Sequence, residues 1–317
     1  MRCYNVEEIN YFLRENKRKL VLDNESRYRG QLFEVADKIM EAGDIKIVLI
    51  GGPSCAGKTT SCRLLHEVLE KKGMKVIDIS LDDFFKHREE TPLLPNGNKD
   101  YESLRAINLP QMRRCFTKLF TEGKAGFPTY DFVSGINSDD THFLEYDEQT
   151  VIIFEGLHVL NPELIKELGT DKVFKLYACA ISEFNYMENY LSSRNLRLIR
   201  RMIRDVVRRG HNPMKTINTW ADVCDGEDKY ITPFIKSADV IVDTTHSFEL
   251  ALYKKEMLKL VREYPEIIDY IGFCIPLFER TLTLPIEKLP RTSLMWEFLE
   301  MPEKYKNTKR KMKEIEE

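Results

Sequence analysis

Eight consecutive residues, Gly52-Pro53-Ser54-Cys55-Ala56-Gly57-Lys58-Thr59, fit the pattern G-x-x-x-x-G-K-[ST] at every defined position. Such a loop suits phosphate because its glycines let the backbone curl until its N–H groups face an anion at the start of a helix. Gly52, Ser54, Ala56, Gly57, Lys58, Thr59 and Thr60 are therefore the candidate nucleotide-binding residues. Lys58 would reach the β- and γ-phosphates, and the Thr59 hydroxyl would ligate Mg²⁺.

Two further groups complement a triphosphate. Transfer of a phosphoryl group to a hydroxyl needs charge neutralisation and a carboxylate to orient or accept the hydroxyl proton. Asp82 and Asp83 follow an apolar run directly, and one of the pair is the candidate base. Glu155 closes another apolar run and is a candidate for the Mg²⁺ shell, since a buried acid is costly without a partner. Between positions 194 and 210, Arg197, Arg201, Arg204 and Arg208 fall at i, i+4, i+7 and i+11 of a helix. A ridge of arginines is what a clamp on a transferred phosphoryl group requires.

The surrounding pattern supplies elements to hold these groups. Residues 45–50 ahead of the loop are apolar and β-branched, as a buried parallel strand is, and 59–72 behind it repeat apolar residues at helical spacing. Further buried strands are predicted over 75–80, 151–156, 172–179 and 238–243. Helical patterns separate them, which implies an α/β architecture with a mainly parallel sheet whose ligands bind beyond the strand C-termini. As a strand end, Asp82 and Asp83 would point to opposite sides. Residues 5–13 and 31–41 read as two short amphipathic helices, and 123–135 as a hairpin or lid. The expected organisation is a helical extension over 1–44, a core over 45–246 and a mostly helical extension over 247–317, with a charged tail from Lys304.

Composition excludes several other classes. At 43% hydrophobic and 31% charged residues the chain reads as a soluble globular protein, and its net charge of −3 gives no global attraction to nucleic acid or anionic lipid. Its seven cysteines are odd in number and form no C-x-x-C pair, which suits reduced thiols better than a disulfide framework or a zinc site. No run approaches the length of a membrane span, and the expected setting is cytoplasmic, with self-association into a homo-oligomer left open.

Taken together, these residues resemble the uridine kinase and phosphoribulokinase family of P-loop kinases, in order, from about residue 45 to 243. The resemblance implies a P-loop NTPase fold with helical additions, ATP and Mg²⁺ as cofactors, and a small-molecule acceptor. Within Ser80-Leu81-Asp82-Asp83-Phe84-Phe85 it makes Asp82 the base. Through Tyr101-Glu102-Ser103-Leu104 it places Glu102 on the ribose hydroxyls, and through Pro128-Thr129-Tyr130-Asp131 it sets Tyr130 at the nucleobase. Phe154-Glu155-Gly156-Leu157-His158 matches the family's acid-glycine motif. The arginine segment resembles its lid helix, making Arg201 and Arg204 substrate and phosphate contacts and Arg209 a triphosphate contact. Catalysis is thereby assigned to Lys58, Asp82 and Arg204. The segment 290–298 is similar to a bacterial uridine kinase-like subgroup.

Three positions depart from the family pattern: Glu102 where Asp is usual, Gly135 near the usual hairpin histidine, and Asn195 ahead of the lid arginines. The function implied is phosphorylation of a hydroxyl, with the 5′-OH of uridine or cytidine as leading acceptor. A related metabolite or sugar-phosphate kinase is the first alternative. A non-catalytic nucleotide-binding regulatory module is the second.

Overall fold

The computed structural model describes residues 2–306. Strand Cys3–Asn5 (β1) leads into helix Val6–Ala42 (α1). The phosphate loop joins strand Ile47–Gly51 (β2) to helix Lys58–Lys71 (α2), and strand Lys75–Ser80 (β3) follows. Helix Leu109–Glu122 (α3) precedes the strands Lys124–Asp131 (β4), Ile136–Glu145 (β5) and Thr150–Gly156 (β6). A turn of helix, Pro162–Ile165 (α4), comes before strands Val173–Cys179 (β7), Glu183–Tyr186 (β8) and Asn189–Leu191 (β9). Helices Ser193–Arg209 (α5) and Pro213–Tyr230 (α6), strand Val240–Asp243 (β10) and helix Glu249–Glu263 (α7) complete the longer elements.

All five strands expected from apolar runs lie in one sheet, in the order β10-β7-β2-β6-β3. The pairings of β2 with β6, β2 with β7 and β3 with β6 are parallel. Every residue of β2 is buried, and β6 is buried except at Glu155, which is why both read as unbroken apolar runs rather than alternating ones. This is the expected α/β P-loop NTPase fold, a mainly parallel sheet with helices in the connections.

The chain divides into two compact units, one of Gly30–Cys179 with Asp222–Val242, the other of Met1–Arg29, Ala180–Ala221 and the chain from Asp243 on. In the first unit, Phe84, Phe116, Phe127 and Phe154 form an aromatic cluster with ring centroids 5.2 to 6.3 Å apart. All four are buried, so the residues after β3, helix α3, hairpin strand β4 and the end of β6 are locked together. The antiparallel β4–β5 hairpin matches the segment 123–135 and its continuation, with a register shift between Phe127 and Thr129.

The second unit holds the small sheet β1-β8-β9 and the apolar face of α7, on which Leu250, Leu252, Tyr253, Met257 and Leu260 are buried. The two short N-terminal helices expected from the sequence are one element, α1, interrupted at Asn16 (φ −160°, ψ 91°). Asn16 Oδ1 accepts the Lys19 N–H at 2.9 Å, so a side-chain cap restarts the helix after the interruption. The charged tail expected from Lys304 lies, from residue 307 on, outside the described residues. Among the described residues no helix is long and apolar enough to cross a membrane.

A buried polar pair in this second unit has a pH signature. Glu25 and His246 are 3% and 0% exposed, with Glu25 Oε1 3.8 Å from His246 Nε2. Burial raises the Glu25 carboxyl above its ordinary value and pushes the imidazole down to about 3. A carboxyl raised on folding contributes stability below its unfolded pKa, and that contribution is lost as pH rises through the folded value. Glu25→Gln therefore melts higher than the wild type at pH 7–8, and the difference shrinks towards pH 4.5. Thermal denaturation of both proteins across that range checks it; equal melting curves at every pH would remove the cost assigned to Glu25.

Candidate active site

The phosphate loop has the backbone that its glycines allow. Gly52 has φ +155°, and a Cβ there would lie 2.1 Å from the Ala178 carbonyl oxygen, so no larger residue fits. Gly57 (φ +89°) and Cys55 (φ +57°) also take left-handed conformations and turn the chain onto the first residue of α2. Its N-cap is Gly57, which has no side chain to cap the helix start, and such a helix N-terminus favours an anion. The Lys58 ammonium donates to the Pro53 carbonyl at 3.0 Å and so lies over its own loop. Ser61 secures the turn by donating from Oγ to the Gly57 carbonyl at 2.8 Å. Thr59 is exposed at the loop top, and Thr60 is buried beneath it.

Strand register brings the acids to this loop's edge of the sheet. Ile50 of β2 pairs with Glu155 of β6, and Glu155 pairs with Ser80 of β3. The Ser80 hydroxyl donates to Glu155 Oε1 at 3.1 Å and accepts the Asp82 N–H at 3.3 Å. That second bond caps a 3₁₀ turn, Leu81–Phe84, so the aspartates sit on a turn and not on a strand end as expected. Their separation therefore comes from bonding, not strand alternation. The Asp83 carboxylate accepts the Tyr130 N–H at 3.3 Å, and Asn137 Nδ2 donates to the Asp83 and Phe85 carbonyls at 2.8 and 2.9 Å. Asp83 thus ties the turn to the hairpin, and burial raises its carboxyl above the ordinary range.

Of the two residues expected to face an acceptor, Tyr130 is buried, with its ring 5.5 Å from Phe85 and 5.0 Å from Phe132. Glu102 lies on a half-buried turn pressed by α6: a Cβ on Gly226 would meet the Glu102 Cβ at 2.3 Å. His158, three residues beyond Glu155, is 2% exposed and packs edge-on to Tyr230 at 6.1 Å. Sequence reasoning passed over Gly226 and His158. The only signal for the second was its place in the acid-glycine motif.

The arginines of α5 belong to the other compact unit. The four arginines expected on one continuous face, Arg197, Arg201, Arg204 and Arg208, do not share one environment. Arg197 is buried beside Trp220, its guanidinium 5.9 Å from the ring, and Arg208 donates to the Trp296 carbonyl. Apolar residues flank the helix so widely that Arg200 is buried as well, paired with Glu249. Arg201, Arg204 and Arg209 converge instead on Asp205, at 3.7, 2.9 and 3.2 Å. Burial works against ionisation of Asp205, but Arg204, Arg209 and Arg201 outweigh it and hold the carboxyl below the usual range.

Residues 47–251, more than half of the chain, match the model of the Phosphoribulokinase / Uridine kinase family. The chain belongs to that family. Its similarity to individual members is modest. It is 25% identical over 197 residues to the uridine kinase of Lactobacillus johnsonii, covering 62% of this chain and 85% of that one. It is 27% identical over 206 residues to the uridine kinase of Mycoplasma genitalium, covering 65% and 88%. The stretch similar to uridine kinase-like protein 5 of Arabidopsis thaliana, 26% identical over 197 residues, spans only 38% of that longer protein. Among solved structures, a candidate fructose transport system kinase from Silicibacter sp. TM1040 superposes with a TM-score of 0.50 at 17% identity. It covers 66% of this chain and 98% of the other, and supports the fold alone.

Against the phosphoribulokinase and uridine kinase family pattern, the first unit carries the phosphate loop, Asp82, Glu102, Tyr130 and Glu155. Among the described residues no three His, Cys, Asp or Glu gather into a metal cage. A Mg²⁺ ion held by one hydroxyl and one carboxylate, with phosphate and water completing its shell, needs none, and the exposed Thr59 hydroxyl and half-buried Glu155 fit that donor set.

Proposed function

We propose that this protein is an ATP- and Mg²⁺-dependent small-molecule kinase that phosphorylates the 5′-hydroxyl of a ribonucleoside such as uridine or cytidine. The observation that carries the reading is the row Ile50, Glu155, Ser80 at the sheet's C-terminal edge. It joins the phosphate loop, an acid and the Asp82 turn by strand register and one hydroxyl.

In this reading the backbone N–H groups from Gly52 to Thr60 cradle the phosphates, and Lys58 swings from the Pro53 carbonyl to neutralise the transferred group. Thr59 and Glu155 hold Mg²⁺, which supplies charge neutralisation when bound. Asp82 accepts the acceptor's hydroxyl proton while Glu102 accepts hydrogen bonds from a vicinal diol and Tyr130 offers an aromatic wall. Arg201, Arg204 and Arg209, gathered on Asp205 in the second unit, are the arginines that the family pattern assigns to phosphate. A related kinase acting on another metabolite alcohol is the second reading, favoured by Gly135 standing near where the family carries a base-reading histidine.

Replacing Lys58 tests the reading. Loss of one preorganised donor to transition-state charge costs about 10²–10³ in rate. Lys58→Ala is expected to lose that much acceptor-dependent ADP release while melting like the wild type. A folded variant with most of its activity would contradict the assignment.

A further inference from the structure

The break in α1 borders a hollow that the kinase reading does not use. Residues on both sides of the interruption at Asn16, together with Ser247, line a cavity of about 370 Å³, all of it within the second unit. A cavity of that size holds a small molecule. Asn24 and Ser247 in its lining satisfy each other: Asn24 Nδ2 donates to Ser247 Oγ at 3.0 Å, and Asn24 Oδ1 accepts the Ser247 N–H at 2.8 Å. Glu8 and Glu15 also line it, and among the described residues neither carboxylate has an ion-pair or hydrogen-bond partner. Lys19 stands at i+4 from Glu15, the spacing of an ordinary helical ion pair. The helix is interrupted between them, however, and Lys19 bonds Asp23 at 2.6 Å. At i+3 and i+4 from Glu8, and so between the two acids, Tyr11 and Phe12 line the same cavity with their rings 5.4 Å apart. They are 57% and 43% exposed, a large apolar surface to leave in water. Aromatic rings between unpaired carboxylates suit an organic cation, through charge at the acids and cation–π attraction at the rings.

We infer that this hollow binds an aliphatic polyamine, with one terminal ammonium at Glu8, the other at Glu15, and the chain between them lying across Tyr11 and Phe12. Glu8 and Glu15 are two turns apart on an unbroken stretch of helix, so their backbones are separated by about 10 Å along its axis. One metal ion cannot bridge that span. A single ammonium satisfies one carboxylate and leaves the other unpaired. A linear chain charged at both ends satisfies both, and its methylene groups cover ring surface that otherwise faces water. An anion is repelled by the same pair of acids, and a neutral ligand gains nothing from them.

The test is calorimetric titration of the full chain with spermidine, and separately with the shorter putrescine, on the wild type, Glu8→Gln, Glu15→Gln, the double variant and Glu7→Gln. The last removes the same charge from the same turn of helix, but Glu7 pairs with Arg280 and does not line the cavity. The expected result is one spermidine per chain, with putrescine weaker because it cannot reach both acids. Glu8→Gln and Glu15→Gln should each lose about threefold to fivefold in spermidine affinity, the upper range for an exposed ion pair. The double variant should lose more, and Glu7→Gln should bind like the wild type. A wild type that binds no spermidine would overturn the assignment. So would an affinity that neither cavity variant changes, or putrescine bound as tightly as spermidine. Equal losses in all three single variants would overturn it too, since they mark attraction to negative charge in general. The kinase reading does not enter this test and is judged separately, by ADP release in the wild type against Lys58→Ala.

Discussion

Asp82→Asn is expected to lower kcat by roughly 10²–10⁴, the usual worth of a positioned general base. Asp83→Asn costs much less turnover, although the two carboxylates are neighbours in sequence. The difference follows from the 3₁₀ turn. Asp83 holds the hairpin through the Tyr130 N–H, and Asn137 grips the same turn through the Asp83 and Phe85 carbonyls. Asparagine at 83 retains a carbonyl oxygen that can accept the Tyr130 N–H, so the hairpin stays attached. Asparagine at 82 keeps the shape but has no basicity for the acceptor proton. Steady-state kinetics of the two variants separates these roles. Equal losses, or the larger loss at Asp83, would reverse the assignment.

The largest stability effect is expected at Glu249. Its carboxylate accepts from Arg200 Nε at 2.8 Å and from the second terminal guanidinium nitrogen at 2.7 Å, with both side chains fully buried. Arg200 also donates to the Thr244 hydroxyl and carbonyl, at 3.2 and 2.9 Å, and the Phe298 ring lies 4.8 Å from the guanidinium. The His246 N–H donates to the same carboxylate at 2.8 Å. Glu249→Ala leaves a guanidinium charge in a dry core and should destabilise the protein by about 3–5 kcal/mol. Replacing both partners by apolar residues, as in Arg200→Met with Glu249→Leu, should recover much of that loss, because the desolvation penalty goes with the charges. Chemical denaturation of the single and double variants measures it. A Glu249→Ala protein as stable as the wild type would show that the pair is not the anchor of this unit.

What the sequence made legible was local. The loop 52–59 is contiguous, and the strands of the central sheet are runs of apolar residues, so motif and fold class could be read from spacing alone. Glu155 was readable for the same reason, as a single acid ending an apolar strand. The Asp82–Asp83 turn was misread as a strand end because the bond that makes the turn, from the Asp82 N–H to Ser80 Oγ, leaves no mark on periodicity. Arg200 and Glu249 are 49 residues apart, and Gly226 meets a turn at Glu102 from far along the chain. Such contacts are products of packing. Arginines at i, i+4, i+7 and i+11 of a helix read as one continuous face until its neighbours bury Arg197.

The central claim is that a triphosphate bound at 52–60 is used to phosphorylate a diol-bearing small molecule. It is tested most directly by coupled ADP release from Mg²⁺·ATP across ribonucleosides, their 2′-deoxy analogues, sugars and sugar phosphates. A site that bonds the ribose hydroxyls rejects analogues lacking them strongly, because its polar groups are left unpaired, whereas a loosely contacted base pocket discriminates weakly. The account predicts acceptor-dependent ADP release with uridine or cytidine, sharply reduced turnover of the 2′-deoxy analogues and weak choice among nucleobases. ADP release that no hydroxyl compound stimulates, or equal turnover of ribo- and deoxyribonucleosides, would contradict it.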